Sequence, residues 1–137
     1  MNVRKFGIDT VALLAYFANI SGDKTNSILE EADNGKAIII VPSIVIGELI
    51  FTILKRRKIF GKLIHEGSIQ LILTSLFENP GFKICELNLD GWNYLLSSTV
   101  PEMHDRMIVA CCKQEGAEVL LTNDKEIIKS KEIDTAW

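Results

Sequence analysis

Ala37-Ile38-Ile39-Ile40-Val41-Pro42-Ser43-Ile44-Val45-Ile46-Gly47-Glu48-Leu49 changes character at one point, Pro42-Ser43. Before Pro42 the run is continuous, apolar and β-branched, which suits a strand covered on both faces, as in a parallel sheet. After it, Ile46, Leu49, Ile50, Ile53 and Leu54 recur at spacings of three and four, and predict a helix over residues 44–58. A buried strand running straight into a helix is the repeating unit of an α/β fold. The same stretch is the longest apolar segment, 18 residues between Lys36 and Lys55. That is close to the length of a membrane span, but Pro42, Gly47 and Glu48 interrupt it, and a charge at mid-bilayer is costly. Glu48 is also conspicuous in a soluble reading, because a lone charge inside an apolar run needs a partner.

Working outward, the same alternation holds along the chain. Residues 5–9, 82–87, 118–122 and 133–137 read as further strands. Residues 11–20, 24–34, 67–77, 89–98, 105–115 and 124–130 read as helices, with Gly35 and Gly116 as stops. Strands alternating with helices predict one domain over residues 1–137, with a mainly parallel sheet covered by helices on both faces.

Composition narrows the function classes. The net charge of −3 lacks the strongly basic balance of a protein that binds nucleic acid by bulk charge, though a local basic patch remains compatible with it. Hydrophobic residues make up 47%, high for so small a chain, so some apolar surface is expected to meet another subunit or a partner. The three cysteines, Cys85, Cys111 and Cys112, show no zinc spacing and fit reduced core thiols in a cytoplasmic protein. No secretory leader is visible in the first residues.

Ligands of open parallel sheets bind at the carboxyl ends of the strands. Asp9 ends the first strand, Glu48 lies about one turn into the helix after the second, Asp105 opens the helix before the fourth, and Asp124 follows the fourth. Each has a plainer role available, as a helix cap, a dipole partner or a solvated residue. Together at one edge they need a cation, since two like charges about 4 Å apart repel by roughly 4 kcal/mol at an effective dielectric near 20. Oxygen ligands without His or Cys select Mg²⁺ or Mn²⁺ over zinc. Such a site suits phosphodiester hydrolysis.

Phe6-Gly7-Ile8-Asp9-Thr10, Val41 to Leu49, His104-Asp105-Arg106-Met107-Ile108-Val109-Ala110 and Leu120-Leu121-Thr122-Asn123-Asp124 resemble, in order and spacing, the four acidic motifs of PIN domains, most closely those of VapC-type toxins. The resemblance implies a PIN-like three-layer α/β/α fold with a central, roughly five-stranded parallel sheet. It implies a Mg²⁺- or Mn²⁺-dependent endoribonuclease, often a homodimer, inhibited by a small antitoxin. Asp9 and Asp105 would be principal metal ligands, Glu48 would hold the metal directly or through water, and Asp124 would complete the pocket. Thr10, Ser43, Thr122 and Asn123 match supporting polar positions. Cys111-Cys112 departs from the small residues common after the third acid, without loss of any acid.

Lys55, Arg56, Arg57, Lys58 and Lys62 form a basic cluster that could follow an RNA backbone, or be an ordinary solvated helix end. His104 reads as a satisfied helix-entry residue and His65 as surface; Trp92 and Tyr94 read as packing rather than base-stacking residues. The helices between Lys24 and Phe77 are candidate dimer or antitoxin surfaces. Other readings of the acids are an RNA-processing nuclease without an antitoxin and a non-catalytic metal- or RNA-binding module. A phospho-accepting signalling domain fits poorly, and a haloacid-dehalogenase phosphatase lacks the Asp it needs where Val11 stands.

Overall fold

The computed structural model describes residues 3–137. Strands β1 (Arg4–Ile8), β2 (Ala37–Pro42), β3 (Phe82–Cys85), β4 (Val119–Leu121) and β5 (Asp134–Ala136) pair in parallel, in the order β3-β2-β1-β4-β5. β1 is central, with Phe6 beside Ile39 of β2 on one flank and beside Val119 of β4 on the other. Between the strands run α1 (Thr10–Phe17), α2 (Asp23–Asp33), α3 (Ser43–Leu54), α4 (Ile69–Glu78), α5 (Leu89–Ser97), α6 (Met103–Glu115) and α7 (Lys125–Ser130). No helix among the described residues is long and apolar enough to cross a membrane.

The burial pattern explains the β-branched run. Ile39, Ile40 and Val41 have no exposed surface, so both faces of β2 are covered. Each such side chain contributes about 1.5–3 kcal/mol when removed from water. Phe6 and Ile8 of β1 are equally enclosed. Between them, Gly7 lets α6 approach: a Cβ there would lie 2.1 Å from Cys112 Sγ. Cys85, Cys111 and Cys112 are free thiols in the core, as expected.

The chain steps outward from β1 to β2 to β3, then returns across the sheet and continues to β4 and β5 on the other flank. Right-handed crossovers on opposite headings place helices on opposite faces. The strand order therefore reverses between β1 and β4, and the crevice beyond their carboxyl ends is where ligands of such sheets sit.

Several boundaries differ from expectation. α3 stops at Leu54 rather than at residue 58, with Lys55 as its C-cap and Arg56 at φ 54. Four consecutive cations would repel along a continued helix turn, which favours release into a loop. α6 begins at Met103, because Glu102 accepts the Asp105 N–H at 2.9 Å and caps it. Asp124 precedes α7 instead of opening it, and β3 ends at Cys85. Trp92 and Tyr94 on α5, expected as packing residues, remain 46% and 42% exposed.

Candidate active site

Each acid is delivered by a different element. Asp9 follows β1 and caps α1, its Oδ1 accepting the Ala12 N–H at 2.9 Å. Its Oδ2 accepts the Thr122 hydroxyl, from the end of β4. Thr122 in turn accepts the Asp124 N–H at 3.0 Å, so one hydroxyl sets the spacing of two acids across neighbouring strands. Asp124 caps α7 with a single oxygen, Oδ1, which accepts from Glu126 N and Ile127 N at 2.9 and 3.0 Å. Glu48 reaches out of α3 with both oxygens engaged: Oε1 accepts the Thr10 hydroxyl at 2.7 Å, and Oε2 lies 3.1 Å from His104 Nδ1. Asp105 stands in the first turn of α6, and no hydrogen bond to its carboxylate is found among the described residues.

Asp9, Thr10, Glu48, Asp105, Asn123 and Asp124 line one cavity of about 290 Å³ at the β1–β4 crevice. The plainer roles of Asp9 and Asp124 as caps are therefore real, yet they leave both side chains at the cavity wall. Electrostatics marks the site. Burial raises the Asp9 carboxyl to about 6, against hydrogen bonds from Thr122 and Ala12, with help from the charges of Asp124 and Glu48. Burial likewise raises Asp105 to about 7, reinforced by Asp124, Glu102, Asp9 and Glu48. Carboxylates held so far above their ordinary range are short of positive charge.

The donor set fits a hard cation. The cavity wall offers carboxylate, hydroxyl and amide oxygen, with no thiol or imidazole. Among the described residues no three His, Cys, Asp or Glu side chains gather closely enough to chelate an ion by themselves. Mg²⁺ does not require such a group, since it keeps several waters and takes only one or two carboxylates directly.

The other candidate residues divide. Thr10 and Asn123 line the cavity and Thr122 supports it from beneath. Ser43 does not join them; it opens α3 and faces a smaller crevice with Cys85, Trp92 and Met107. Of the five cations, Arg57 and Lys58 line a larger, mostly apolar groove of about 670 Å³ that shares Thr10, Val11 and Glu48 with the acidic cavity. Lys55 and Arg57 lie over the Phe51 ring, and Lys62 closes a tight turn with Ile59. His65 is exposed and accepts the Gly67 N–H at 3.0 Å. His104 is a satisfied helix-entry residue, as expected, and its partner is Glu48. The only signal in the sequence was its place directly before Asp105.

Three solved structures share the fold over nearly their whole length. VapBC2 from Rickettsia felis, bound to a DNA fragment from its promoter, matches at a TM-score of 0.68 and 18% identity, over 96% of this chain and 97% of that one. PAE2754 from Pyrobaculum aerophilum matches at 0.62 and 17%, over 96% and 89%. VapC20 from Mycobacterium tuberculosis, a sarcin-ricin loop cleaving toxin, matches at 0.58 and 14%, over 92% and 95%. No curated protein matches. The family model of the PIN domain matches residues 7–132, a span that holds all four acids, and the chain belongs to the PIN-domain family.

Proposed function

We propose that this protein is a Mg²⁺- or Mn²⁺-dependent endoribonuclease, the toxin of a VapBC-type toxin–antitoxin pair. The observation that carries the reading is the single cavity lined by Asp9, Glu48, Asp105 and Asp124 at the point where the strand order reverses. Two of the structures named above are VapBC or VapC proteins, one of them a sarcin-ricin loop cleaving toxin, which supports the same reading.

Asp9 and Asp105 are the ligands we assign first. Asp9 is fixed by Thr122 and the Ala12 amide, while Asp105 carries no competing hydrogen bond among the described residues. Glu48 and the uncommitted oxygen of Asp124 complete the oxygen set, directly or through water. A divalent ion bound there would lower the pKa of a water and neutralise charge on a phosphodiester during in-line displacement. The protein's own part is to hold those oxygens apart at fixed positions and to bring the RNA backbone alongside. Arg57 and Lys58, in the adjoining groove, are placed to meet phosphate oxygens. The RNA is cut when water adds to phosphorus and the bridging oxygen departs with a proton.

Partners follow from the same reading. Exposed Phe51 and Val11 beside the acidic cavity suit an antitoxin segment, and exposed Phe60, Leu63, Leu71 and Phe77 suit a second copy of the chain. The deciding experiment is cleavage of RNA by purified protein with EDTA, Mg²⁺ or Mn²⁺, beside Asp9→Asn and Asp105→Asn. Cleavage that needs the ion and falls by at least about a hundredfold in both variants is expected. Undiminished cleavage in both would overturn the assignment. Light scattering at micromolar concentration tests the homodimer, which a bare-monomer mass would refute.

A further inference from the structure

Glu48 is the acid whose carboxylate is held wholly by side chains of other helices. Asp9 and Asp124 sit at strand ends and are anchored by backbone N–H groups, whereas Glu48 projects from mid-helix on a long, flexible side chain. Two side chains compensate. Thr10, in the first turn of α1, donates to Oε1 at 2.7 Å, and His104, in the first turn of α6, reaches Oε2 at 3.1 Å. In its Nδ1–H tautomer His104 donates to this oxygen, the role a carboxylate acceptor requires. The helix cap lies close by: Glu102 Oε1 is 3.9 Å from the same nitrogen, while Glu102 Oε2 accepts the Asp105 N–H. α1, α3 and α6 thus meet at one carboxylate.

We infer that His104 is a positioning residue that holds Glu48 in the orientation needed for divalent-ion binding. The inference rests on the reading of the acidic cavity as a metal site. With one oxygen fixed by a hydroxyl and the other by an imidazole, the remaining lone pairs of Glu48 are directed by geometry rather than left to rotate. Partners of this kind around metal ligands typically govern affinity by about 10–100-fold. His104 is half-exposed, with 49% of its side chain accessible, so its replacement leaves the core intact.

The test is calorimetric titration of Mn²⁺ into wild type, His104→Ala, His104→Asn and His104→Gln, with Asp105→Asn as the metal-site control. Asn places an amide N–H near the Nδ1 position, whereas Gln places it near Nε2. His104→Ala is expected to weaken binding by about tenfold or more. His104→Asn should recover most of the loss, and His104→Gln little of it. In a Glu48→Gln background, His104→Ala should change affinity by less than about twofold, since the two act as a unit. Wild-type affinity in His104→Ala, or an equal loss in the Glu48→Gln background, would overturn the inference while leaving the metal site standing. Failure of wild type to bind Mn²⁺ more tightly than Asp105→Asn would instead remove the metal site itself, and the inference with it.

Discussion

Thr122 donates its hydroxyl to Asp9, and in doing so ties the end of β4 to the end of β1 at the floor of the acidic cavity. Both residues are buried. The bond is charge-assisted, of a kind that contributes about 1.5–3 kcal/mol. Thr122→Val keeps the shape and removes the donor. It is expected to lower stability by about that amount and to reduce RNA cleavage by more than about tenfold, because Asp9 loses its orientation. Thr122→Ser should retain most of both. Chemical denaturation and a cleavage assay read the two effects separately, and an unchanged Val variant would contradict the role given to this hydroxyl.

The two raised carboxyls make a pH prediction for the metal-free protein. Asp9 titrates near 6 and Asp105 near 7, against an ordinary value of 3.8. Between the ordinary and the raised values the folded chain binds more protons than the unfolded one, so stability falls as pH rises through that window. In EDTA, the melting temperature should therefore be higher at pH 5.5 than at pH 8. Asp105→Asn should raise it at pH 8 and flatten the dependence. A metal-free melting temperature that climbs from pH 5.5 to 8 would run against this.

Glu132 behaves in the opposite sense. Burial acts to raise its pKa, but donors from Thr99 N, Thr99 Oγ1, Ser98 Oγ and Lys113 Nζ outweigh it and bring the carboxyl down to about 2. The bonds run from 2.7 to 3.2 Å and hold the segment before α6 against the turn after α7. The stability this gives is full above the unfolded value near 4.5 and drains as pH falls toward 2. After solvent screening, hydrogen bonds to a charged group of this kind contribute on the order of 1–3 kcal/mol. Glu132→Gln should lose most of it at pH 7 and show a shallower acid limb in denaturation.

Gly7 offers a packing test remote from chemistry. An added Cβ would fall 2.1 Å from Cys112 Sγ and 3.2 Å from Leu120 Cδ1. Gly7→Ala should cost about 1–3 kcal/mol through overpacking. Gly7→Ala with Cys112→Ala, which removes the sulfur, should recover at least half of that in urea unfolding.

Much of this architecture was legible in the chain because burial writes itself into residue type. Ile38 to Val41 had to be a covered strand, and Glu48 in an apolar helix had to have a partner. The order of strands in the sheet was not written in periodicity, which reports faces and not neighbours; the PIN resemblance implied a roughly five-stranded parallel sheet, and the structure supplies the order. Local rivalry hid other features. The helical pattern ran on past Leu54, but charge repulsion among Lys55 to Lys58 decided the end, and this moved the basic cluster from a helix onto a loop. Ser43 matched a motif by position, yet opens a helix that turns it toward Cys85 and Trp92. The reach of His104 to Glu48 depends on how α6 packs against α3, which no spacing within either segment reveals.

The reversal of strand order also has a bearing on biosynthesis. β1 and β4 can pair only once every element that separates them in sequence has been made. Domains generally fold as units. A nascent copy that has made Asp9 and Glu48 thus has no Asp124 beside them until residue 124 has also been made. If the folded molecule destroys RNA, the ribosome making it meets no assembled nuclease site before Asp124 has been added.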